Sequence, residues 1–181
     1  MDKTYTHPKR KTKVVFVQLG SPSEPTTKAL RKYLRKFLGD PRVVDINPWL
    51  WKIILNFFVL PFRPKKSAKL YARIWDGESF PLITNTRDFT NNVREELKKI
   101  DPNGHVEVNH AFLLSPPYVN EVYDSWEDDL KKGIGATKLL VIPMFPQYSE
   151  STIASGIDAL AKELSKRVKI PTFEVITNFH R

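Results

Sequence analysis

The residues best placed to do chemistry crowd the joint PMFPQYSESTIAS (Pro143–Ser155), between the apolar run KLLVI (Lys138–Ile142) and the helical pattern STIASGIDALAKEL. Pro143 and Pro146 each fix φ and remove a donor, which stiffens the lip. Gln147 and Tyr148 then offer hydrogen bonds from a rigid rim. Ser149, Ser151 and Thr152 have the chemistry of helix caps, and the amides at a helix start favour negative charge. Hydroxyls at such a place also serve as ordinary caps, so the neighbouring strand ends carry the argument. QLGSP (Gln18–Pro22) and LLSPPY (Leu113–Tyr118) close two other apolar runs, each stiffened by proline beside a small residue. Three such tips side by side would form one wall of a cleft, where open α/β sheets bind ligands. The four histidines are scattered with no i,i+4 pair, so spacing assembles no metal site. His110, on a strand, reads as a core residue rather than a ligand, and His180 is no better placed.

The elements that must position these tips alternate in type. KVVFVQLG (Lys13–Gly20) is a β-branched run ending in a glycine turn, and Leu30, Leu34, Phe37 and Leu38 then recur at helical spacing. A short aromatic helix is expected over Trp49–Val59, another over Arg63–Trp75, and a loop over Asp76–Thr86 leading into a helix on Phe89, Val93, Leu97 and Ile100. Strands follow at His105–Leu114, Lys138–Ile142 and Thr172–Phe179, separated by helices using Val119, Val122, Trp126 and Leu130, then Ile153, Ile157, Leu160 and Leu164. Four strands alternating with helices predict an α/β fold: a four-stranded parallel sheet flanked by helices, a Rossmann-type lobe. The last strand has no helix after it to cover its outer face, which suggests a piece of something larger.

The 181 residues suit one domain with a sizeable core. Cysteine is absent, which excludes disulfides and thiolate metal sites and fits a reducing compartment. The formal net charge of +9 favours anionic partners: nucleic acid, acidic lipid or a carboxylate-bearing ligand. It also fits a solvated basic face. Residues 1–12 read as a flexible basic arm and 13–181 as the folded lobe, with no apolar core of a secretory leader in Met1–Lys13. Asn47–Phe62 is the most apolar stretch, but Lys52, Asn56 and Pro61 interrupt it, well short of the roughly 20 residues of a membrane span. It can lie on a membrane and not cross one.

In their order and spacing, LGSP, YLRKFLGDPRVVD, RPKKSAKLYARIW, FPL and PMFPQYSEST resemble the amino-terminal half of the ferrochelatases, the lyases that insert ferrous iron into a porphyrin in haem biosynthesis. The resemblance runs from about Val14 to the end of the chain and implies one chelatase lobe of two, with porphyrin in the cleft between them. Ferrous iron and a protoporphyrin or coproporphyrin would be substrates, with no tightly bound cofactor. The family's essential histidine and its glutamate partner belong to the second half, and no residue here matches either, so no catalytic residue is assigned. By resemblance Leu19 would pack on the macrocycle, and Arg63 and Tyr71 would sit near the propionates. Ser79 or Phe80 falls where the family reads Ser-Pro-Leu, although SFPL puts the serine one position early. Phe112 and Leu113 replace the family's usual Arg-Tyr pair, removing a cation and a phenol. Tyr148 and Ser149 complete the porphyrin-facing set. Trp49, Trp51, Phe57 and Phe58 would form a hydrophobic lip beside Lys52, Arg63, Lys65 and Lys66, giving a cytoplasmic protein that can be peripheral to a membrane.

Structural readings stand beside each of these: Leu19 and Tyr71 as core residues, Arg63 as a surface charge, the aromatic segment as an interior helix. Other functions stand as well. An inactive relative that binds porphyrin or haem is suggested by Phe112 and Leu113. A short chelatase working as a homodimer would need metal histidines within this lobe. A basic nucleic-acid binder would need exposed aromatics on a recognisable module, and the sequence contains none. The expected partners are a porphyrin, the missing carboxyl-terminal lobe and a membrane surface through residues 49–62, with no nucleic acid.

Overall fold

The computed structural model describes residues 11–133 and 136–179. Of the expected basic arm, residues 1–10 lie outside the described residues, as does His180, and Thr12 already belongs to the first strand. The four strands β1 (Thr12–Gln18), β2 (Val106–Phe112), β3 (Lys138–Pro143) and β4 (Thr172–Val175) form a parallel sheet in the order β2-β1-β3-β4. Among the described residues six α-helices accompany them: α1 (Thr27–Leu38), α2 (Pro48–Ile54), α3 (Arg63–Tyr71), α4 (Pro81–Ile100), α5 (Val119–Lys131) and α6 (Ser155–Leu164). The four-stranded parallel sheet with flanking helices is the expected α/β lobe.

Because side chains alternate along a strand, the central strand β1 feeds two cores. Val15 and Val17 pack with Tyr123, Trp126, Leu160 and Leu164 of α5 and α6. Val14 and Phe16 face the other way, with Val108, against Val93 and Leu97 of α4. Burial on both faces explains the continuous β-branched run. Two buried polar groups on the α5 side find backbone partners: Trp126 Nε1 donates to the carbonyl of Ala136 (2.7 Å) and Tyr123 to that of Lys169 (2.9 Å). Lys13 is also buried there, its Nζ 3.3 Å from Glu107 and 3.7 Å from Asp129.

Several boundaries differ from the sequence reading: β2 is shorter than the expected His105–Leu114, and α3 ends at Tyr71 rather than Trp75. Helix α4 begins at Pro81, so the loop expected to reach Thr86 ends at Phe80. Proline at the first helical position is pre-organised for the helix, and it holds the residue before it extended. Strand β4 stops at Val175, although the amides of Ile176 and Phe179 still donate to Val141 and Pro146. A further difference is at the head of α6, where Glu150–Ala154 forms a π-helical turn.

Candidate functional site

The strand order sets the place of the site. Chain connection runs from β1 to β2 on one side and on to β3 and β4 on the other, so the order reverses between β1 and β3. Crevices for ligands open at the carboxyl ends of strands at such a point. In register, Gln18 sits beside Phe112 and Val17 beside Pro143, so the tips carrying Leu19, Phe112 and Met144–Tyr148 share one end of the sheet.

These tips are sewn together beyond the strands. The amides of Leu113 and Leu114 donate to the carbonyls of Gln18 and Leu19 (3.0 Å each), and that of Met144 donates to Val17 (2.8 Å). The Gln18 carboxamide accepts from Leu19 N (2.9 Å) and donates to the Met144 carbonyl (3.4 Å), tying β1 to β3. Gly20 has φ +93°, and a Cβ there would overlap Ser115 Oγ and approach Phe112 Cβ to 3.1 Å. Glycine is required at this turn both by its conformation and by the closeness of the two tips. After β2 the chain turns back through a cis Pro116–Pro117 bond, and the amide of Phe112 donates to Pro117 O (2.8 Å).

The hydroxyls at the third tip behave differently from caps. Ser149 precedes the helix in an extended conformation, but its side chain bonds no helix amide. It shares a hydrogen bond of 3.1 Å with the Ser151 hydroxyl. The backbone carbonyl of Ser149 gathers the amides of Thr152, Ile153 and Ala154, and Ser155 Oγ donates to the carbonyl of Glu150 (3.4 Å). The hydroxyls thus complete a π-helical start, where an extra residue per turn leaves carbonyls for side chains to fill.

Two cavities open on the tip wall and share Leu114 and Tyr118. One, of about 290 Å³, is lined by Leu19, Phe112 and Leu113 from two tips, with Phe37 of α1 and Ser151 and Asp158 from the α6 side. Its rim is fixed by the Arg42–Asp158 ion pair, with Nε and a second guanidinium nitrogen 2.5 and 3.0 Å from the two carboxylate oxygens. The hydrogen bond from Arg42 holds the Asp158 carboxyl below the usual carboxylate range. The other cavity, of about 500 Å³, lies between α1 and the loop before α4 and is lined by Ser79, Phe80, Tyr33, Trp75 and Lys36 among others. Asp76 shapes that loop by accepting from the amides of Ser79 (2.6 Å) and Glu78 (2.9 Å), which lower its carboxyl pKa.

The sequence-derived positions divide among these places. Leu19, Phe112 and Leu113 meet in the smaller cavity, and Ser79 and Phe80 in the larger. Tyr71 stands behind the larger cavity, edge-on to Phe80 (5.4 Å) and Tyr33 (6.2 Å). Burial, and secondarily Tyr71, raise the Tyr33 hydroxyl far above an ordinary phenol, and it donates to the carbonyl of Gly20 (3.4 Å). Arg63 is exposed and lines neither cavity, while Tyr148 is exposed and Ser149 half-buried beside the smaller one. In the aromatic segment, Trp49, Phe57 and Phe58 are exposed, but Trp51 is half-buried with its indole N–H on the Leu38 carbonyl (2.7 Å). His110 is half-buried, with Nδ1 unpartnered, and burial lowers its pKa. Among the described residues no group of three His, Asp or Glu side chains could hold a metal ion, and no helix is long and apolar enough to cross a membrane.

Sequence reasoning missed Lys36 and Arg42 as parts of these walls, and the partners they meet. Lys36 and Tyr118 are 82 residues apart and Arg42 and Asp158 are 116 apart, so no local pattern links them.

Comparison with known proteins closes the question of kinship. The family model described as Ferrochelatase matches residues 11–181. The chain is 41% identical over 167 residues to a "Ferrochelatase" of Idiomarina loihiensis, an alignment covering 92% of this chain and 44% of that protein. It is 39% identical to a "Ferrochelatase" of Actinobacillus pleuropneumoniae, covering 92% and 50%. A "Coproporphyrin III ferrochelatase" of Streptococcus mutans is 38% identical, covering 94% and 51%. The chain therefore spans about half the length of the curated relatives it matches. With the matched region reaching from the start of β1 through β4, this chain belongs to the ferrochelatase family.

Proposed function

We propose that the strand-tip surface is one wall of the porphyrin site of a ferrochelatase, with ferrous iron and a porphyrin as substrates. The observation that carries this reading is the convergence of Leu19, Phe112 and Leu113 on one cavity at the β1/β3 reversal. Metal insertion removes two pyrrole protons and needs the flat ring bent so that nitrogen lone pairs meet the incoming ion. Distortion of that kind is driven by contacts remote from the reacting atoms. A wall cross-linked by backbone hydrogen bonds suits that task, because it yields little when a macrocycle is pressed on it. On this reading the 181 residues contribute shape and anchoring, and the proton-accepting chemistry comes from the part of the enzyme that the relatives carry beyond the matched region.

The same reading gives the segment 48–62 a role at the cleft mouth. Trp49, Phe57, Phe58 and Phe62 are exposed next to Lys52, Arg63, Lys65 and Lys66, a pairing of aromatics and cations that suits an anionic membrane surface. A second reading, a porphyrin-binding relative without chelatase activity, draws on the buried apolar Phe112 in the smaller cavity.

The test is titration of the 181-residue chain with mesoporphyrin IX, followed by tryptophan quenching, together with a zinc-insertion assay. Trp75 lines the larger cavity, so binding is expected to quench emission. Insertion is expected only when the chain is co-expressed with the remaining half of a full-length relative. Enzyme-level insertion by the chain alone overturns the division of labour, and binding without insertion in the reconstituted pair favours the second reading.

A further inference from the structure

The larger tip cavity joins aromatic surface to unpaired cations. Lys32 and Lys36 lie one turn apart on α1, so both project toward the same cavity. Lys98, Lys99 and Lys131 on other helices, and Lys166 just beyond α6, each pair with a carboxylate three residues earlier. Lys32 and Lys36 have no ion pair among the described residues. Lys36 reaches instead to a neutral partner, donating to the Tyr118 hydroxyl (3.0 Å) with Nζ 4.4 Å from the ring centroid. Two carboxylates share the cavity lining, Glu78 and Glu121. Glu121 is engaged, accepting from the amide of Tyr118 (3.1 Å) and so fixing the turn that carries the phenol.

In the same cavity lining the half-buried Trp75 is braced edge to face by the buried Phe80 at 4.7 Å, which fixes an aromatic face for a flat ring. An ammonium held by a phenol oxygen exchanges it readily for a carboxylate, since charge-assisted hydrogen bonds are roughly twice as strong as neutral ones. Arg63, the cation that the family resemblance places near the propionates, lines neither cavity. We infer that Lys36, supported by Lys32, is the carboxylate-binding residue of this cavity: it leaves Tyr118 to hold a propionate of a porphyrin whose ring edge rests by Trp75. This inference rests on the porphyrin reading of the wall and adds to it the residue that selects acidic over uncharged rings.

The experiment compares mesoporphyrin IX with its dimethyl ester, by tryptophan quenching of the full 181-residue chain and of three variants, Lys36→Met, Tyr118→Phe and Lys98→Met. Lys36→Met is expected to weaken binding of the diacid about tenfold and to leave the ester unchanged. Tyr118→Phe, which keeps the cation and removes its resting partner, is expected to hold the diacid at least as tightly. Lys98→Met, on a distant face, controls for net charge. Equal losses for diacid and ester in Lys36→Met, or a loss in Lys98→Met matching that in Lys36→Met, overturn the assignment of Lys36. Failure of the unaltered chain to bind either ring overturns the porphyrin reading itself, and the inference with it.

Discussion

Phe112 at the strand tips is fully buried, whereas Phe57, Phe58 and Trp49 in the segment 48–62 are 70%, 66% and 77% exposed. Both regions are apolar in sequence, yet one is locked and the other left open. At the tips Phe112 has a backbone ladder beneath it and the Gly20 turn against it. In the segment, Trp51 and Leu55 hold the chain to the body while the other aromatics face outward. Apolar surface that is buried and braced forms a shape; apolar surface that is contiguous and uncovered marks a place where something else docks.

The sharpest way to break this contrast is Phe112→Ala. Truncating a fully buried phenylalanine is expected to cost about 3–5 kcal/mol, read by urea denaturation, because the lost contacts leave a void between β2 and the Gly20 turn. A cost near zero would mean the tips are not tightly packed.

Gly20→Ala comes next, at about 1–3 kcal/mol, since a side chain at φ +93° is strained and must push Ser115 aside. Its diagnostic sign is a matching loss of mesoporphyrin affinity, as the two tips are forced apart. Gly104, also at positive φ, has open space around its missing Cβ, so Gly104→Ala serves as the comparison that carries backbone strain without the clash.

The smallest effect on stability is expected from the double change Phe57→Ser with Phe58→Ser. Exposed positions of this kind shift stability by about 0.5 kcal/mol or less. Co-sedimentation with vesicles rich in anionic lipid should nevertheless fall sharply. A large drop in stability with unchanged vesicle binding would reverse the roles assigned to the two regions.

Much of the lobe was legible in the residues themselves. The run Val14–Val17 shows a strand buried on both faces, and Leu30, Leu34 and Phe37 mark the inner face of α1, because periodicity is a local signal. Gly20 and the prolines at 22, 116, 143 and 146 announced stiff tips. The site was readable as three tips, and less so in detail. The hydroxyls of Ser149 and Ser151, expected to cap amides, bond to each other, since a π-helical start is a property of packing and not of residue type. Pro81 carried a helix-start signal that the loop reading passed over.

Sequence alone determined the alternation of strands and helices, the three stiff tips and the presence of an aromatic stretch, all of which follow from residue type and short-range spacing; that the stretch is exposed came from the tertiary structure. Tertiary structure decided that β1 lies between β2 and β3, which creates the reversal point where the tips meet. It also brought Lys36 to Tyr118 and Arg42 to Asp158 across 82 and 116 residues. Pairing of distant segments depends on which buried surfaces fit together, and no local pattern in the chain encodes that choice.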